Sequence, residues 1–315
     1  FKFFGQVFYG QVKTFTTLEK DDHEIKGMAL NLSGVTTAIW NTNSHCYFGY
    51  PAEMIIRDML TGDYTHIGET GYSHFISWAW NTYMGKDYMN QQFHWIYYYS
   101  FIGMANSIIK SIDESSANAE TLSYLGTVYA YRAMLYVDLA RMYEFLPNDI
   151  FSDGRNSEGE VVLNLTVPIE DEKTTQDQRL NNPRATRDEM FAFILSDLEK
   201  AEKYVPNLPS TFNNTLPDLA CVYGLKARLY MWVENYAKAK EFARKAINAT
   251  SIQPISESVA LNPLTGYNQF ADFMWCAVQT PETAAVRTGI INWTSWVSNQ
   301  TIFGYTGSST SLYTA

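Results

Sequence analysis

The sequence predicts a predominantly α-helical protein with long irregular loops and few strands. Apolar residues recur at spacings of three and four in several segments between residues 93 and 249. Proline follows the ends of two of these segments, and one of the two also begins with a helix-capping sequence. The stretches between them are rich in Gly, Asn, Ser, Thr and aromatic residues, with only short extended pieces. Together these features indicate an all-α class rather than alternating strands and helices.

The first predicted helices come before residue 150. A short helix is expected around residues 54–60, ending near Gly62. A strong helix is expected over 93–112, where Trp95 falls on the apolar stripe and is therefore assigned to the core. The next helix, over 119–145, ends before Pro147, and its expected buried stripe comprises Leu122, Leu125, Tyr129, Ala133, Tyr136, Leu139 and Tyr143.

A long excursion over residues 149–180, with two or three short extended pieces, separates these helices from the rest. The helix predicted over 187–204 begins at Thr186, and Glu189 follows three residues later, which is the capping-box pattern. Two further helices are predicted over 217–233 and 236–249, with Trp232 assigned to the core.

The last two helices carry small and aromatic residues at the spacing of a tetratricopeptide repeat: Ala227, Tyr230, Tyr236, Ala239 and Ala246. A second copy is split by about forty inserted residues, with 125–129 as its first half and Ile194, Leu198, Ala201 and Pro206 in its second. A free-standing array needs about three adjoining units. The helix pairs are therefore expected to form a scaffold within a larger fold.

Charge and composition exclude several functions. The chain has 315 residues, with 33 acidic and 23 basic ones, for a formal net charge of −10. This balance disfavours nucleic acid, whose binding requires a basic face, and a polybasic attachment to lipid. Aromatic residues make up 15% of the chain and charged residues 18%. No run reaches the roughly 18 apolar residues of a membrane span.

Sequence motifs give no positive evidence for an enzyme. The five histidines form no HExxH pair, and neither a GxSxG elbow nor a phosphate-binding glycine loop is present. The three cysteines are far apart and form no CxxC pair. We therefore predict no catalytic residue, no metal site and no cofactor. Because the chain begins at Phe1, we expect it to be a processed or incomplete product.

Five segments in a fixed order carry a family resemblance. They cover residues 48–63, 95–109, 124–147, 181–206 and 220–247, and they include a Pro-Arg-x-Thr helix entry and a Leu-Lys-Ala-Arg helix. In these segments the chain resembles the SusD/RagB family of outer-membrane glycan-binding lipoproteins of Bacteroidetes. The resemblance implies one SusD-like domain over 1–315, truncated at its C-terminus. Its helical scaffold would cover 48–250, and a loop-rich variable region would begin at 251–315.

The resemblance also implies a function. It indicates a non-catalytic cell-surface protein that binds an oligosaccharide and delivers it to a SusC-like TonB-dependent outer-membrane transporter in nutrient uptake. The family's lipid-attachment cysteine is not in this chain, so membrane contact is expected only through an anchor outside it. Relatives serving peptide uptake would share the scaffold, so a peptide ligand stays open.

Two other functions compete with this hypothesis. A tetratricopeptide-type interaction module without a small ligand would present an apolar groove. A helical carbohydrate-active enzyme would need two facing carboxylates at the separation found in hydrolases. Exposed aromatic faces in one concave patch would favour glycan binding over both.

We predict the ligand site on loops that carry two groups of aromatic residues. Trp78 and Trp80 stand at i and i+2, which project to the same face of an extended segment and could stack on sugar rings. The competing interpretation is that these rings pack inside the loops, since Trp is mostly buried in proteins. The predicted ligand-binding residues are Trp78, Trp80, Asn81, Tyr83, Trp293 and Trp296.

Overall fold

The structure is a computed structural model that describes residues 65–66, 89–146, 153–209, 214, 216–260, 273–275 and 303–304. Helices dominate these residues, which confirms the predicted fold class. The helices are α1 (Met89–Ser111), α2 (Ala119–Tyr143), α3 (Gln176–Leu180), α4 (Arg187–Tyr204), α5 (Leu219–Trp232), α6 (Tyr236–Ala249) and α7 (Glu257–Ala260). The strands are β1 (Thr65–His66) and β2 (Phe303–Gly304), and a 3₁₀ turn covers Val205–Asn207.

The five long helices lie where the sequence predicts them. The bounds of α4 and α6 match the predicted 187–204 and 236–249. Those of α1 and α5 differ by one to four residues at each end, and α2 begins at the predicted residue and ends two residues early. The helix expected over 54–60 lies outside the described residues. None of the helices in the described ranges is long and apolar enough to cross a membrane.

The chain forms two compact units. The first comprises residues 1–16, 27–97 and 277–315, and its described part includes the antiparallel pair β1–β2, in which Thr65 lies opposite Gly304. The second comprises residues 17–26 and 98–276 and contains α2 to α7. The assignment of 1–315 to one domain stays a prediction.

Helix α2 is the centre of the second unit. Its residues from Thr121 to Ala140 are buried on every side, with Leu122 alone among them half-buried. Helix α4 packs along α2, and α5 and the 3₁₀ turn contact it as well. The sequence predicted that one stripe of α2 is buried. The buried surface is wider than that stripe, because several elements surround this helix.

The split repeat is confirmed by the packing of α2 against α4. Ile194, Leu198 and Ala201 are fully buried in this contact region. At Gly126 the two backbones approach closely, since a Cβ atom there would lie 2.9 Å from the Cβ of Tyr204 and 3.0 Å from the backbone nitrogen of Val205. A side chain at Gly126 would force the end of α4 outward.

A carboxylate on the loop before α2 braces the same contact. Glu114 accepts hydrogen bonds from the Tyr129 hydroxyl (2.7 Å), the Lys200 amine (2.9 Å) and the Tyr204 hydroxyl (2.7 Å). Burial alone would raise the pKa of Glu114, but hydrogen bonds from Lys200, Tyr129 and Tyr204 outweigh it and lower the pKa to about 2. Glu114 is thus ionised throughout the ordinary pH range.

Helices α5 and α6 form the predicted antiparallel pair. Ala227, Ala239 and Ala246 are buried at their contact, as the repeat spacing requires. Next to these small residues, the rings of Tyr230 and Phe242 stack with centroids 5.5 Å apart. The chain turns at Val233–Asn235, where Glu234 adopts a positive φ of 62° and the Asn235 side chain caps α6.

Two tryptophans assigned to the core are placed differently. Trp95 is 36% exposed, because the buried face near the start of α1 passes through His94, Tyr97 and Phe101 instead. Trp232 is half-buried at the end of α5. Its indole N–H donates to the Glu144 carboxylate at 2.9 Å. A purely apolar core would leave this N–H without an acceptor.

Candidate functional site

All six predicted ligand residues lie outside the described residues, so their role stays a prediction. They are Trp78, Trp80, Asn81, Tyr83, Trp293 and Trp296. The described residues show two other features relevant to function: a buried polar network that fixes the scaffold, and an open groove in the excursion between α2 and α4. Sequence periodicity pointed to neither of them.

The network is centred on Arg132 of α2, which is 2% exposed. Its Nε and Nη2 atoms donate to the two carboxylate oxygens of Asp197 on α4, both at 2.7 Å. Its Nη1 atom donates to Asn106 of α1 at 2.7 Å and to Glu172 at 2.8 Å. This guanidinium therefore joins three helices and the excursion by charge-assisted bonds.

The charges in this network support one another. Burial alone would lower the pKa of Arg132, but the hydrogen bonds and charges of Asp197 and Glu172 outweigh it and raise that pKa. Burial would raise the pKa of Glu172, and Arg132 holds it below its usual range. Burial raises the pKa of Asp197, and the hydrogen bonds and charge of Arg132 oppose that rise. The bidentate geometry of Arg132 with Asp197 is that of a charge-assisted pair.

Helices α1 and α2 hold the chain of the excursion at every second residue. Tyr99 donates to the carbonyl oxygen of Pro168 at 2.6 Å. The carbonyl oxygen of Glu170 accepts from the Tyr136 hydroxyl (2.8 Å) and from the Asn106 amide (3.0 Å). Together with the bond from Arg132 to Glu172, this fixes residues 168, 170 and 172, the alternation expected of an extended segment.

The intervening residues line an open groove of about 580 Å³. One wall carries Ile169, Asp171, Lys173 and Thr174. The other comes from α3 and the turn after it, and it carries Gln178, Asn181, Asn182 and Pro183. The Asn182 amide donates to the carbonyl oxygen of Ile169 at 2.7 Å and so ties the two walls together.

A single arginine anchors the end of the excursion. Arg184 donates to the carbonyl oxygens of Thr166 (2.6 Å), Tyr143 (2.7 Å) and Leu165 (3.0 Å). Burial lowers the pKa of Arg184. Because Tyr143 ends α2, this bond satisfies one of the carbonyl groups that a helix leaves unpaired at its C-terminus. Thr186, two residues later, begins α4 with the predicted capping box. The Pro-Arg-x-Thr segment is thus a structural link between the two halves of the split repeat.

The groove is lined mainly by hydrogen-bonding groups. Its lining offers carboxylate, amine, hydroxyl and carboxamide groups. Elsewhere in the described part of the chain, Cys221 is buried, and burial raises the pKa of its thiol above the ordinary range, so it is not a reactive nucleophile. Among the described residues no three His, Cys, Asp or Glu side chains come together as metal ligands.

Comparison with known proteins gives the family. Residues 52–231 match the model of the SusD-like family described as "Starch-binding associating with outer membrane". This match covers more than half of the chain. The chain belongs to the SusD-like family. The resemblance inferred from the five ordered segments is thereby confirmed.

Individual relatives agree with this assignment. SusD-like protein P38 of Formosa agariphila is 29% identical over 145 residues, which are 46% of this chain and 24% of that protein. A SusD-like carbohydrate binding protein from Bacteroides vulgatus superimposes with a TM-score of 0.65 at 20% identity, covering 84% of this chain and 52% of that one. A SusD superfamily protein from Bacteroides thetaiotaomicron gives 0.57 at 19% identity, covering 78% and 50%.

These solved structures show that the SusD-like chain has the fold of the family. The match spans about half the length of the two solved relatives and about a quarter of the length of P38. The residues that match the family model, 52–231, include α1 to α4 and nearly all of α5.

Proposed function

We propose that this SusD-like chain binds an oligosaccharide at the extracellular face of an outer membrane, without catalysis, and delivers it to a SusC-like TonB-dependent transporter. The observation that carries the proposal is the match of residues 52–231 to a family described as starch-binding and associated with the outer membrane. A lipid anchor would hold it at the membrane.

The arrangement of the helices supports a binding protein over a free-standing repeat module. In the described residues there are two helix pairs of the tetratricopeptide type, and one of them is split by the excursion. About three adjoining repeats are needed for an independent array. The excursion is bonded to α1, α2 and α4, so the helices serve as its support.

The ligand site that we propose comprises Trp78, Trp80, Asn81 and Tyr83, with Trp293 and Trp296 as a second group of rings. Aromatic faces stack on the C–H faces of sugar rings, and the Asn81 amide is a hydrogen-bond partner for a hydroxyl. This platform is the stacking part of recognition.

Retention on polysaccharide tests the proposal. The purified chain is run through native gels that contain starch or another soluble polysaccharide, and it is applied in parallel to a glycan array. We expect retarded migration in at least one gel and binding to the corresponding oligosaccharide on the array. Normal migration in every gel, with binding to peptides instead, would reject the glycan in favour of a peptide ligand.

The transporter is tested separately by co-purification. The chain, carrying an affinity tag, is added to gently solubilised outer membranes from the bacterium that encodes it. We expect a TonB-dependent transporter among the retained proteins, in an amount that rises with the amount of tagged chain added. Recovery of the chain as a monomer with no transporter would contradict the proposed delivery step.

The absence of catalysis is tested by the release of reducing ends. We expect no increase when the chain is incubated with the polysaccharide that retards it. Release that disappears on changing a single carboxylate to its amide would identify a glycoside hydrolase.

A further inference from the structure

We propose that the groove between residues 169–174 and 178–183 is a second saccharide subsite, which holds the hydroxyl-bearing edge of a neutral sugar by hydrogen bonds. This inference rests on the proposed glycan-binding function and adds residues that the predicted aromatic platform does not include. It assigns a binding role to the excursion, in addition to the contact of Glu172 with Arg132.

The first support is the inventory of hydrogen-bonding groups that face the groove. In the part of the chain that the structure describes, no side chain pairs with the Lys173 amine or the Asn181 carboxamide, and both residues are exposed. Asp171 uses one carboxylate oxygen for the Thr174 hydroxyl (2.8 Å) and the Lys173 backbone (2.9 Å), which leaves its second oxygen available. Donors and acceptors thus stand side by side.

The second support is that the walls are held in place before any ligand arrives. Pro168, Glu170 and Glu172, which alternate with residues of the first wall, are bonded to α1 and α2. The last of these bonds is the ion pair of Glu172 with Arg132. The second wall is tied to the first by Asn182, and Arg179 of α3 pairs with Glu170 at 3.0 Å. A preorganised site loses less conformational entropy when it binds, so weak hydrogen bonds suffice.

The composition of the lining selects the class of ligand. A carboxylate, an amine and carboxamides close together can satisfy neighbouring hydroxyl groups, each of which both donates and accepts. None of the lining residues is aromatic, so stacking does not contribute. Asp171 and Lys173 carry opposite charges, which favours a neutral sugar over an anionic one. A volume of 580 Å³ falls within the range of about 300–1,000 Å³ found for small-molecule sites.

The test is a titration of the isotope-labelled chain with maltoheptaose, followed by the side-chain amide signals of Gln178, Asn181 and Asn182. We expect these signals to shift in a saturable way. In the double variant Lys173→Ala/Asn181→Ala, the remaining groove signals should report roughly tenfold weaker binding, as the loss of about two hydrogen bonds implies. Both residues are exposed, so the variant should fold.

The matched control is Lys240→Ala/Asn248→Ala, which removes the same residue types from the exposed surface of α6 and should leave the groove titration unchanged. If signals elsewhere shift while those of the groove stay in place, the subsite is rejected and the proposed function stands. A spectrum in which nothing shifts also rejects the subsite. Failure of the proposed function is recognised independently, by the absence of retardation in every polysaccharide gel.

Discussion

The Arg132 network and the α5–α6 pair show two different ways of holding helices together in one scaffold. Around Arg132, three helices and the excursion meet at buried charges, with partners up to 65 residues apart in the sequence. In the α5–α6 pair, helices joined by a three-residue turn pack small residues against aromatic ones. Its ion pairs, from Lys238 and Lys245 to Glu241, lie at the surface. The first region depends on distant partners and the second on local pattern.

The largest effect is expected at the network. Replacing Arg132 by alanine leaves Asp197 and Glu172 without their cation, and Asp197 is 3% exposed. We expect the free energy of unfolding to fall by about 3–5 kcal/mol, the typical cost of breaking a buried ion pair. Urea denaturation followed by circular dichroism measures it.

A paired variant separates charge from packing in the same region. Arg132→Met with Asp197→Leu replaces the bidentate pair by apolar groups, and we expect it to be more stable than Arg132→Met alone. If the single and double variants lose the same free energy of unfolding, the loss comes mainly from the missing side-chain contacts of Arg132 and not from the unpaired carboxylate of Asp197.

In the α5–α6 pair, stability is expected to depend on the size of the side chains at the contact. Ala239 is 5% exposed at the contact of α6 with α5, and Ala239→Leu should overpack it and lower the free energy of unfolding by about 1–3 kcal/mol. Ala243→Leu, on the exposed side of the same helix, serves as the control and should change little. An Ala239→Leu variant as stable as the control would contradict the close approach of the two helices.

A smaller change in stability is expected when the pH is lowered through the range in which Glu114 titrates. Like Arg132, Glu114 joins residues that are distant in the sequence. Its pKa in the folded protein, about 2, is below the ordinary value of 4.5. The stability it contributes is therefore present above pH 4.5 and is lost as the pH falls toward 2. Glu114→Gln should make the melting temperature less dependent on pH across this window. An unchanged pH profile would show that other carboxylates account for acid unfolding.

The smallest effect is expected at the surface ion pairs of α6. Glu241 is exposed and bonds both lysines at 2.9 Å. Because solvent screens such pairs, Glu241→Gln should leave the melting temperature almost unchanged, at low and at high salt. A loss comparable to that of Ala239→Leu would mean that the helix pair depends on charge as the network does.

The same contrast explains what the sequence could and could not predict. Periodicity located the five long helices, and the spacing of Ala227, Ala239 and Ala246 gave the α5–α6 pair, since these signals repeat within a few residues. The partners of Arg132 follow no such spacing, because they come together only when the fold forms. The available signal was an arginine, Arg132, in the middle of a predicted helix in which most of the neighbouring residues are small, apolar or aromatic.

The candidate groove escaped prediction for a similar reason. Its lining residues look like an ordinary polar loop in the sequence, and they form a groove because alternate positions from 168 to 172 are bonded to α1 and α2. The aromatic residues proposed as a platform were identified by their side-chain chemistry, which can be read directly from the sequence. Their arrangement stays a prediction.

The most direct test of the central claim, that the predicted aromatic residues hold the glycan, is the affinity of the Trp78→Ala/Trp80→Ala variant for the polysaccharide that retards the wild-type chain. The control is Tyr236→Ala, which removes a ring 66% exposed on α6. Our account predicts lost affinity at an unchanged melting temperature for the tryptophan variant, and intact affinity for the control. Intact binding together with a lowered melting temperature would contradict it and assign these rings to the interior of the loops.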